Sequence, residues 1–298
     1  MSERARAEAA LLAVTLIWGM SFTLVKNALD DASTLAFLAI RFTAATGALT
    51  LFSRRGLATG MLADPLAWQG GWRAGLCLAA AYLCQTAGLR WTTPSKSAFL
   101  TSLCAALVPV LAAIIYRKLP RGLEIAGVIL AVSGTGLLTL TPGHTGGSSS
   151  WMPGHGELLT LACALGFAGH ILVTGHYAGR AGLNAFSLLQ LATATVLFWL
   201  WLPWFEPFYW RVTPRLAVAI AVTGVVCTAL AFTVQAWAQR HSSATRTALI
   251  FSVEPVSAAA TSYIVAGEIL TPIAMLGAGL IMAGVLTVEL GPGTRDIS

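Results

Sequence analysis

The chain has 298 residues, of which 56% are hydrophobic and only 10% charged, with five cysteines and a formal charge of +6. A soluble domain carries roughly 25% charged residues, so composition excludes an ordinary water-soluble globule and points to a chain embedded in a membrane. The positive balance also raises a nucleic-acid or acidic-lipid reading, which the placement of the charges has to decide.

Runs of about 20 apolar residues cross roughly 30 Å of hydrocarbon. They predict ten spans, at 9–25, 33–52, 74–90, 97–116, 123–141, 157–175, 185–205, 216–238, 247–267 and 272–289. Arg4 and Arg6 precede the first run as in a signal sequence, but no small-x-small cleavage site follows and nine further spans do, so the first run is read as retained. Span one holds Trp18, a deeper tryptophan than Trp72, Trp91, Trp151, Trp204 and Trp210, which lie near span ends and read as interfacial anchors. Arg41 stands eight residues into span two, roughly 12 Å down the axis at 1.5 Å per residue. A charge inside a bilayer costs about 2.5–3.5 kcal/mol on insertion scales. Arg41 therefore either faces a cavity, where it attracts an anion, or snorkels to the outer headgroups. Tyr82 and Gln85 in span three, with Gln235 and Trp237 in span eight, are candidates to line such a cavity.

Span four opens with "SKSAFL" and span nine, 150 residues later, with "TRTALI". Helix starts favour negative side chains because the macrodipole is positive there, so Lys96 and Arg246 are cations in the wrong place. Each calls for an anionic counterpart: a substrate carboxylate, a lipid phosphate or a Glu from the other half. A gating role at opposite mouths is the expectation, although an Arg at the inner surface is ordinary. In span nine, Glu254 precedes Pro255, and a proline cannot donate to the carbonyl of Phe251 four residues back; Pro109 does the same to Ala105 in span four. A carboxylate beside a missing hydrogen bond suggests a bendable helix with a binding or proton-carrying group, since burial disfavours the charged form. The competing readings are an ion pair with a neighbouring Arg or Lys, and a protonated Glu bonded to a carbonyl.

Between spans five and six, "TPGHTGGSSSWMPGHG" reads as a flexible linker. His144, His155 and Glu157 offer metal ligands in principle, but their spacing predicts a solvated loop, and no metal or other cofactor is expected. Cys77, Cys84, Cys104, Cys163 and Cys227 all fall in apolar spans and read as packing residues. With the N-terminus cytoplasmic, the inner side holds twelve Lys and Arg residues (Arg4, Arg6, Arg54, Arg55, Arg73, Arg117, Lys118, Arg121, Arg180, Arg240, Arg246, Arg295). The outer side holds five: Lys26, Arg90, Lys96, Arg211 and Arg215. The positive-inside bias places both termini in the cytoplasm and accounts for the basic balance with no nucleic acid.

Shifting the sequence by 150 residues aligns Gln85 with Gln235, Arg90 with Arg240, Ala98 with Ala248, Ser102 with Ser252, Gly127 with Gly277 and Gly134 with Gly284. Lys96 meets Arg246, Tyr82 meets Phe232, and Lys118 meets Glu268. A constant offset predicts an internal duplication: a first repeat over 1–143, a linker over 144–156 and a second repeat over 157–298. Five spans per repeat is an odd number, so the second copy enters the membrane from the opposite side. The predicted fold is an all-α polytopic membrane protein with ten transmembrane helices as two inverted five-helix repeats, the architecture of alternating access. The glycines Gly127, Gly134 and Gly136 of span five and Gly277, Gly279 and Gly284 of span ten are expected to permit close helix packing.

The segments "LIWGMSF", "AIRFTAATGAL", "TTPSKSAFLTSL" with "LVPVLAA", and "ALIFSVEPVSAA" with "GEILTPIAMLGAGLIMAGV" resemble the EamA-like branch of the drug/metabolite transporter superfamily, over nearly the whole chain. The first half departs from that pattern in having Arg117-Lys118 where the second has Gly267-Glu268. The resemblance implies ten helices, two repeats, a cytoplasmic N-terminus, export of amino acids or other small metabolites, and a central cavity lined mainly by spans one, three, four, six, eight and nine. No H-E-x-x-H, G-x-S-x-G or G-x-x-x-x-G-K-[ST] motif supports enzymatic chemistry.

The expectation is a secondary active transporter of the inner cell membrane that exports a small amino-acid-like or carboxylate-bearing metabolite, coupled to protons or to exchange. Its candidate substrate-binding or gating residues are Trp18, Arg41, Tyr82, Gln85, Lys96, Gln235, Trp237, Arg246 and Glu254. Two repeats in one chain make a monomer sufficient. The alternatives are a drug or lipid translocator, suited to an apolar cavity, and a membrane enzyme or receptor subunit that uses the same bundle as scaffold.

Overall fold

A computed structural model describes residues 2–115, 122–139 and 154–290. Arg117, Lys118, Arg121, His144, Trp151 and Arg295 lie outside the described residues. Within them the chain is helical: α1 (Glu3–Ala28), α2 (Thr34–Phe52), α3 (Arg54–Ala58), α4 (Pro65–Leu89), α5 (Pro94–Thr101), α6 (Leu103–Ile115), α7 (Gly122–Thr139), α8 (His155–Tyr177), α9 (Leu183–Phe205), α10 (Pro214–Ala221), a π-helical segment (Val222–Leu230), α11 (Ala231–Ala238), α12 (Ala244–Phe251), α13 (Glu254–Ala266) and α14 (Pro272–Leu290). Among the described residues six stretches are long and apolar enough to cross a bilayer: Glu3–Ala28, Thr34–Phe52, Pro94–Ile115, His155–Tyr177, Leu183–Phe205 and Pro214–Ala238. The outward surface carries large apolar side chains such as Leu51, Ile129, Leu200 and Ile264. That surface suits lipid, where every backbone group must be satisfied within the segment.

Two boundaries differ from the hydropathy reading. Helix α4 begins at Pro65, nine residues before the expected start at 74, because the Asp64 carboxylate accepts from the N–H groups of Leu66 and Ala67 and Pro65 takes the first helical position. An apolar scan does not see that cap. The span expected at 97–116 starts at Pro94 and is jointed at Ser102, while the one expected at 247–267 is jointed at Ser252–Val253. Pro109 lies within α6 without interrupting it. In the first half the joint thus belongs to Ser102, whose hydroxyl donates to the Phe99 carbonyl at 2.7 Å and competes with the helix ladder.

Helix ends are held by matched devices. At the end of α4, Arg90 donates from Nη1 to the Leu29 carbonyl at 3.1 Å and from Nη2 to the Ala32 carbonyl at 2.5 Å, closing the α1–α2 turn. Arg240, 150 residues on, donates from Nε to Ala178 and from Nη2 to Ala181, each at 2.6 Å, closing the α8–α9 turn. Lys26, near the end of α1, donates to the carbonyls of Leu89, Arg90 and Thr92. A Cβ on Gly88 would lie 2.7 Å from the Gly156 carbonyl at the start of α8. Helix α8 therefore starts at the end of the bundle where α1 and α4 finish, and Arg90 and Arg240 sit at opposite ends.

Helices α7 and α14 pack through a reciprocal contact. A Cβ on Gly134 would lie 2.5 Å from the Gly277 carbonyl, and one on Gly284 would lie 2.5 Å from the Gly127 carbonyl. Gly134 and Gly284 permit the close approach expected of them, each against a backbone carbonyl of the other helix. Gly136 and Gly279 have nothing within 4 Å of an added Cβ and take no part in it. The buried interior is centred on Phe37, Phe42, Phe198 and Phe232.

Candidate functional site

A cavity of about 50 Å³ opens between α1, α2, α4, the α5–α6 joint, α8, α11 and the α12–α13 joint. A water needs roughly 10–15 Å³ on this measure, so the space holds a few waters or a small solute. Its wall is aromatic. Trp18 packs at 5.1 Å against both Phe232 and Phe251, and Tyr82 lies 5.3 Å from Phe167.

Into this wall α2 brings Arg41, which is 2% exposed. Its Nε donates to Thr228 Oγ1 at 3.0 Å and its Nη2 to the Tyr82 hydroxyl at 3.2 Å, with the guanidinium carbon 4.6 Å from the Tyr82 ring centre. Burial among these partners overturns the snorkelling alternative. Arg41 is held by hydroxyls and a ring face, both of which leave its positive charge uncompensated. Glu254 lines the same cavity at the α12–α13 joint and is 9% exposed. Its carboxylate forms no ion pair among the described residues, so pairing with a neighbouring Arg or Lys does not explain it there.

Gln85 and Gln235 both reach the cavity. Gln85 Nε2 donates to Thr101 Oγ1 at 3.2 Å, and Gln235 Nε2 donates to Gln239 Oε1 at 3.1 Å. Gln235 Oε1 is a buried acceptor with no partner among the described residues. An unpaired buried acceptor costs about 1–3 kcal/mol, and a ligand that donates to it would recover that cost.

The cavity brings together six of the nine residues singled out from sequence: Trp18, Arg41, Tyr82, Gln85, Gln235 and Glu254. Trp237 is not among its lining; its ring packs on His241 at 5.5 Å. Lys96 and Arg246 stand at the two ends of the bundle. Lys96 Nζ lies 3.9 Å from Glu157 Oε1 with both side chains about nine-tenths buried. Arg246 Nη1 lies 3.2 Å from Glu8 Oε1, with both about one-third exposed. Each cation thus faces a glutamate of the other half. Even their local caps match, since Lys96 N donates to Thr93 Oγ1 and Arg246 N to Ser243 Oγ, each at 3.3 Å. Glu157 is no solvated loop residue: it belongs to the first turn of α8, and Thr92 Oγ1 donates to it at 3.5 Å. His155 opens that helix at the surface, and no group of metal-ligating side chains occurs among the described residues. Glu268 caps the start of α5, accepting from Ser95 N at 3.3 Å and Ser95 Oγ at 2.8 Å, and from Ser262 Oγ.

Sequence reasoning missed His170, which lines the cavity 1% exposed and pairs through Nε2 with Gln190 Oε1 at 2.8 Å. It also missed Cys104, Thr101, Phe167 and Ser21. The duplication carried the signal. Adding 149 to Trp18, Ser21 and Phe22 gives Phe167, His170 and Ile171, and adding 150 to Thr101 and Cys104 gives Phe251 and Glu254, all cavity residues.

A polytopic helical bundle around an aromatic-walled cavity that holds a few polar side chains suits a membrane-embedded carrier, and the comparisons agree. The sequence model of the EamA-like transporter family matches twice, over residues 5–140 and 154–290. The chain is 30% identical over 292 residues to a protein of Archaeoglobus fulgidus named "Uncharacterized transporter", covering 97% of this chain and 87% of that one. A solved structure described only as "Crystal structure of protein" superposes with a TM-score of 0.70 over 96% of this chain and 98% of its own, at 19% identity, and so shares the fold. The chain belongs to the EamA-like transporter family and is a multi-pass membrane transporter.

Proposed function

We propose that this protein exports a small zwitterionic, amino-acid-like metabolite by alternating access between two inverted five-helix repeats, ten transmembrane helices in all. The observation that carries the reading is that a guanidinium, Arg41, and a carboxyl group, Glu254, line one cavity. Arg41 offers a cation to a carboxylate, while Glu254 and the unpaired Gln235 Oε1 offer acceptors to an ammonium group, and the aromatic wall accommodates an apolar side chain. The matched arginines at opposite ends, the serine joints at Ser102 and Ser252 and the reciprocal glycine contact support the inverted repeat. Both termini lie in the cytoplasm, the membrane is the inner cell membrane, and one chain suffices as the working unit. Lys96–Glu157 closes the outer mouth and Arg246–Glu8 the inner one, and alternating access requires that they break in turn. A drug or lipid translocator is the second reading, favoured by the aromatic lining alone.

The test is the melting temperature of the detergent-purified protein with leucine, with 4-methylpentanoate, which lacks the ammonium, and with isopentylamine, which lacks the carboxylate. A ligand at 100 times its Kd adds about 2.7 kcal/mol to the folded state. Leucine is expected to raise the melting temperature more than either fragment. Equal shifts with all three, or larger shifts with hydrophobic cations, would favour the translocator. Coupling is tested separately: Glu254→Gln is expected to weaken solute affinity, and at saturating solute in proteoliposomes to abolish uptake driven by a pH gradient while retaining exchange; equal loss of both modes at saturation would count against a proton-carrying role.

A further inference from the structure

The rod made of α10, the π segment and α11 differs in one respect from its counterpart in the first half, since α4 is α-helical throughout from Pro65 to Leu89. The nine residues Val222–Leu230 follow the i→i+5 pattern, a rare one that usually occurs as a single turn. In such a register, side-chain and carbonyl partners fall one residue away from their α-helical places. Thr228 Oγ1 donates to the Thr223 carbonyl, five residues back, at 2.7 Å, whereas Thr223 and Thr233 donate to carbonyls four residues back. The Thr228 hydroxyl proton is thereby committed, and its lone pair accepts from Arg41 Nε at 3.0 Å. One residue earlier, the Cys227 carbonyl accepts from Trp18 Nε1 at 2.7 Å. Gly224 lets the segment approach α2 closely, since a Cβ there would lie 3.0 Å from the Arg41 carbonyl. Two cavity residues of the first half are thus anchored on consecutive residues of the π segment.

We infer that the π register positions the binding site: it aims the Arg41 guanidinium and the Trp18 indole into the cavity, with Thr228 as the positioning residue for Arg41. Tightening the segment to an α register removes one residue from the turn and rotates one side of the rod by about 100° relative to the other. That rotation carries Thr228 off Arg41 and withdraws the Cys227 carbonyl from Trp18, so the same change releases both and lowers affinity for the anionic end of the solute. The inference rests on the zwitterion reading above for its substrate, and on the backbone alone for its register.

The experiment measures affinity for the same three probes, together with the ¹⁵N indole resonance of Trp18, assigned by its loss in Trp18→Phe. Thr228→Val is expected to weaken leucine and 4-methylpentanoate roughly tenfold, the scale of one hydrogen bond to a charged group, and to leave isopentylamine unchanged. Thr228→Ser, which keeps the hydroxyl, restores wild-type affinity. Deleting Val225, which shortens the segment by the one extra residue, moves the Trp18 indole resonance to that of an unbonded indole. Unchanged acid affinity in Thr228→Val, or equal loss for the amine, overturns the positioning role. An unmoved Trp18 resonance in the deletion variant overturns the register. If the wild-type protein binds none of the three probes, the substrate reading fails, and the indole resonance still decides this one.

Discussion

The two halves of this transporter use the same scaffold to different ends. At the bundle ends they are near copies: Arg90 and Arg240 close the same turn, Thr93 and Ser243 cap the same helix, and Lys96–Glu157 and Arg246–Glu8 make the same cross-half pair. At the cavity they diverge. Arg41 corresponds to Gln190, Ser21 to His170 and Glu254 to Cys104, so the first half supplies the guanidinium, the second the carboxyl group, and neither supplies both. The end that holds Arg240 is further marked by Gln239, which ties α11 to α8 by donating to the Ile171 carbonyl at 3.1 Å, where the first half has the apolar Leu89. Duplication fixes backbone devices because both copies must fold. The cavity, placed where the halves meet, is free to become asymmetric.

The largest test of this contrast moves a cavity charge to its counterpart. Arg41→Gln is expected to lower proteoliposome transport of leucine about a hundredfold, the scale of a lost buried charge contact. Adding Gln190→Arg is expected not to restore it, because Thr228 and Tyr82 hold a guanidinium only on the α2 side. Rescue by the swap would mean that the cavity is functionally symmetric after all.

The scaffold should behave in the opposite way. Gly134→Val and Gly284→Val each drive a side chain into backbone, at 2.5 Å from Gly277 O and Gly127 O respectively. Overpacking of this kind costs about 1–3 kcal/mol, and the two variants are expected to lose the same melting temperature. Unequal losses would break the equivalence of α7 and α14.

A smaller effect separates the two mouths. Double-mutant cycles with Gln at both partners should give Lys96–Glu157 the larger coupling and little salt dependence. Arg246–Glu8, one-third exposed, should give about 0.2–1 kcal/mol that fades with ionic strength. Equal salt sensitivity at both ends would show that Lys96–Glu157 is as solvated as Arg246–Glu8.

The smallest effect lies where the α1–α2 turn meets the start of α10. Asp31 accepts from Thr213 Oγ1 at 2.7 Å and from Arg215 Nη2 at 2.8 Å. The hydroxyl bond first, and then the guanidinium, hold its carboxyl below the usual carboxylate range. A depressed folded value means that its stabilisation is present in full above the ordinary carboxylate range and is lost as pH falls through the folded value. The acid-induced drop in melting temperature should therefore shrink in Asp31→Asn. An identical acid profile in that variant would remove Asp31 from the account.

Much of this was written in the chain. Ala98 and Ala248 are weak evidence singly, but a constant offset through Gln85, Arg90 and Lys96 made the duplication legible, and the intramembrane Arg41 and Glu254 marked themselves by the cost of burying charge. The serine joint at Ser102 was not legible, because hydropathy reports whether a segment is apolar and not where its hydrogen bonds stop. His170 was hidden for a related reason: a lone histidine in an apolar run has no periodic signature, and its counterpart Ser21 carries no sign of the cavity either.

By itself, then, the sequence determined the membrane, the family, the repeat and the two ionisable side chains Arg41 and Glu254 of the cavity, since composition and local burial cost act on each residue where it stands. Tertiary structure alone decided the partners: that Lys96 meets Glu157 and Arg246 meets Glu8, that Trp237 lies off the cavity, and that Arg41 rests on Thr228. These are contacts between residues up to 238 positions apart, and no local property of the chain encodes which helix ends will be brought together.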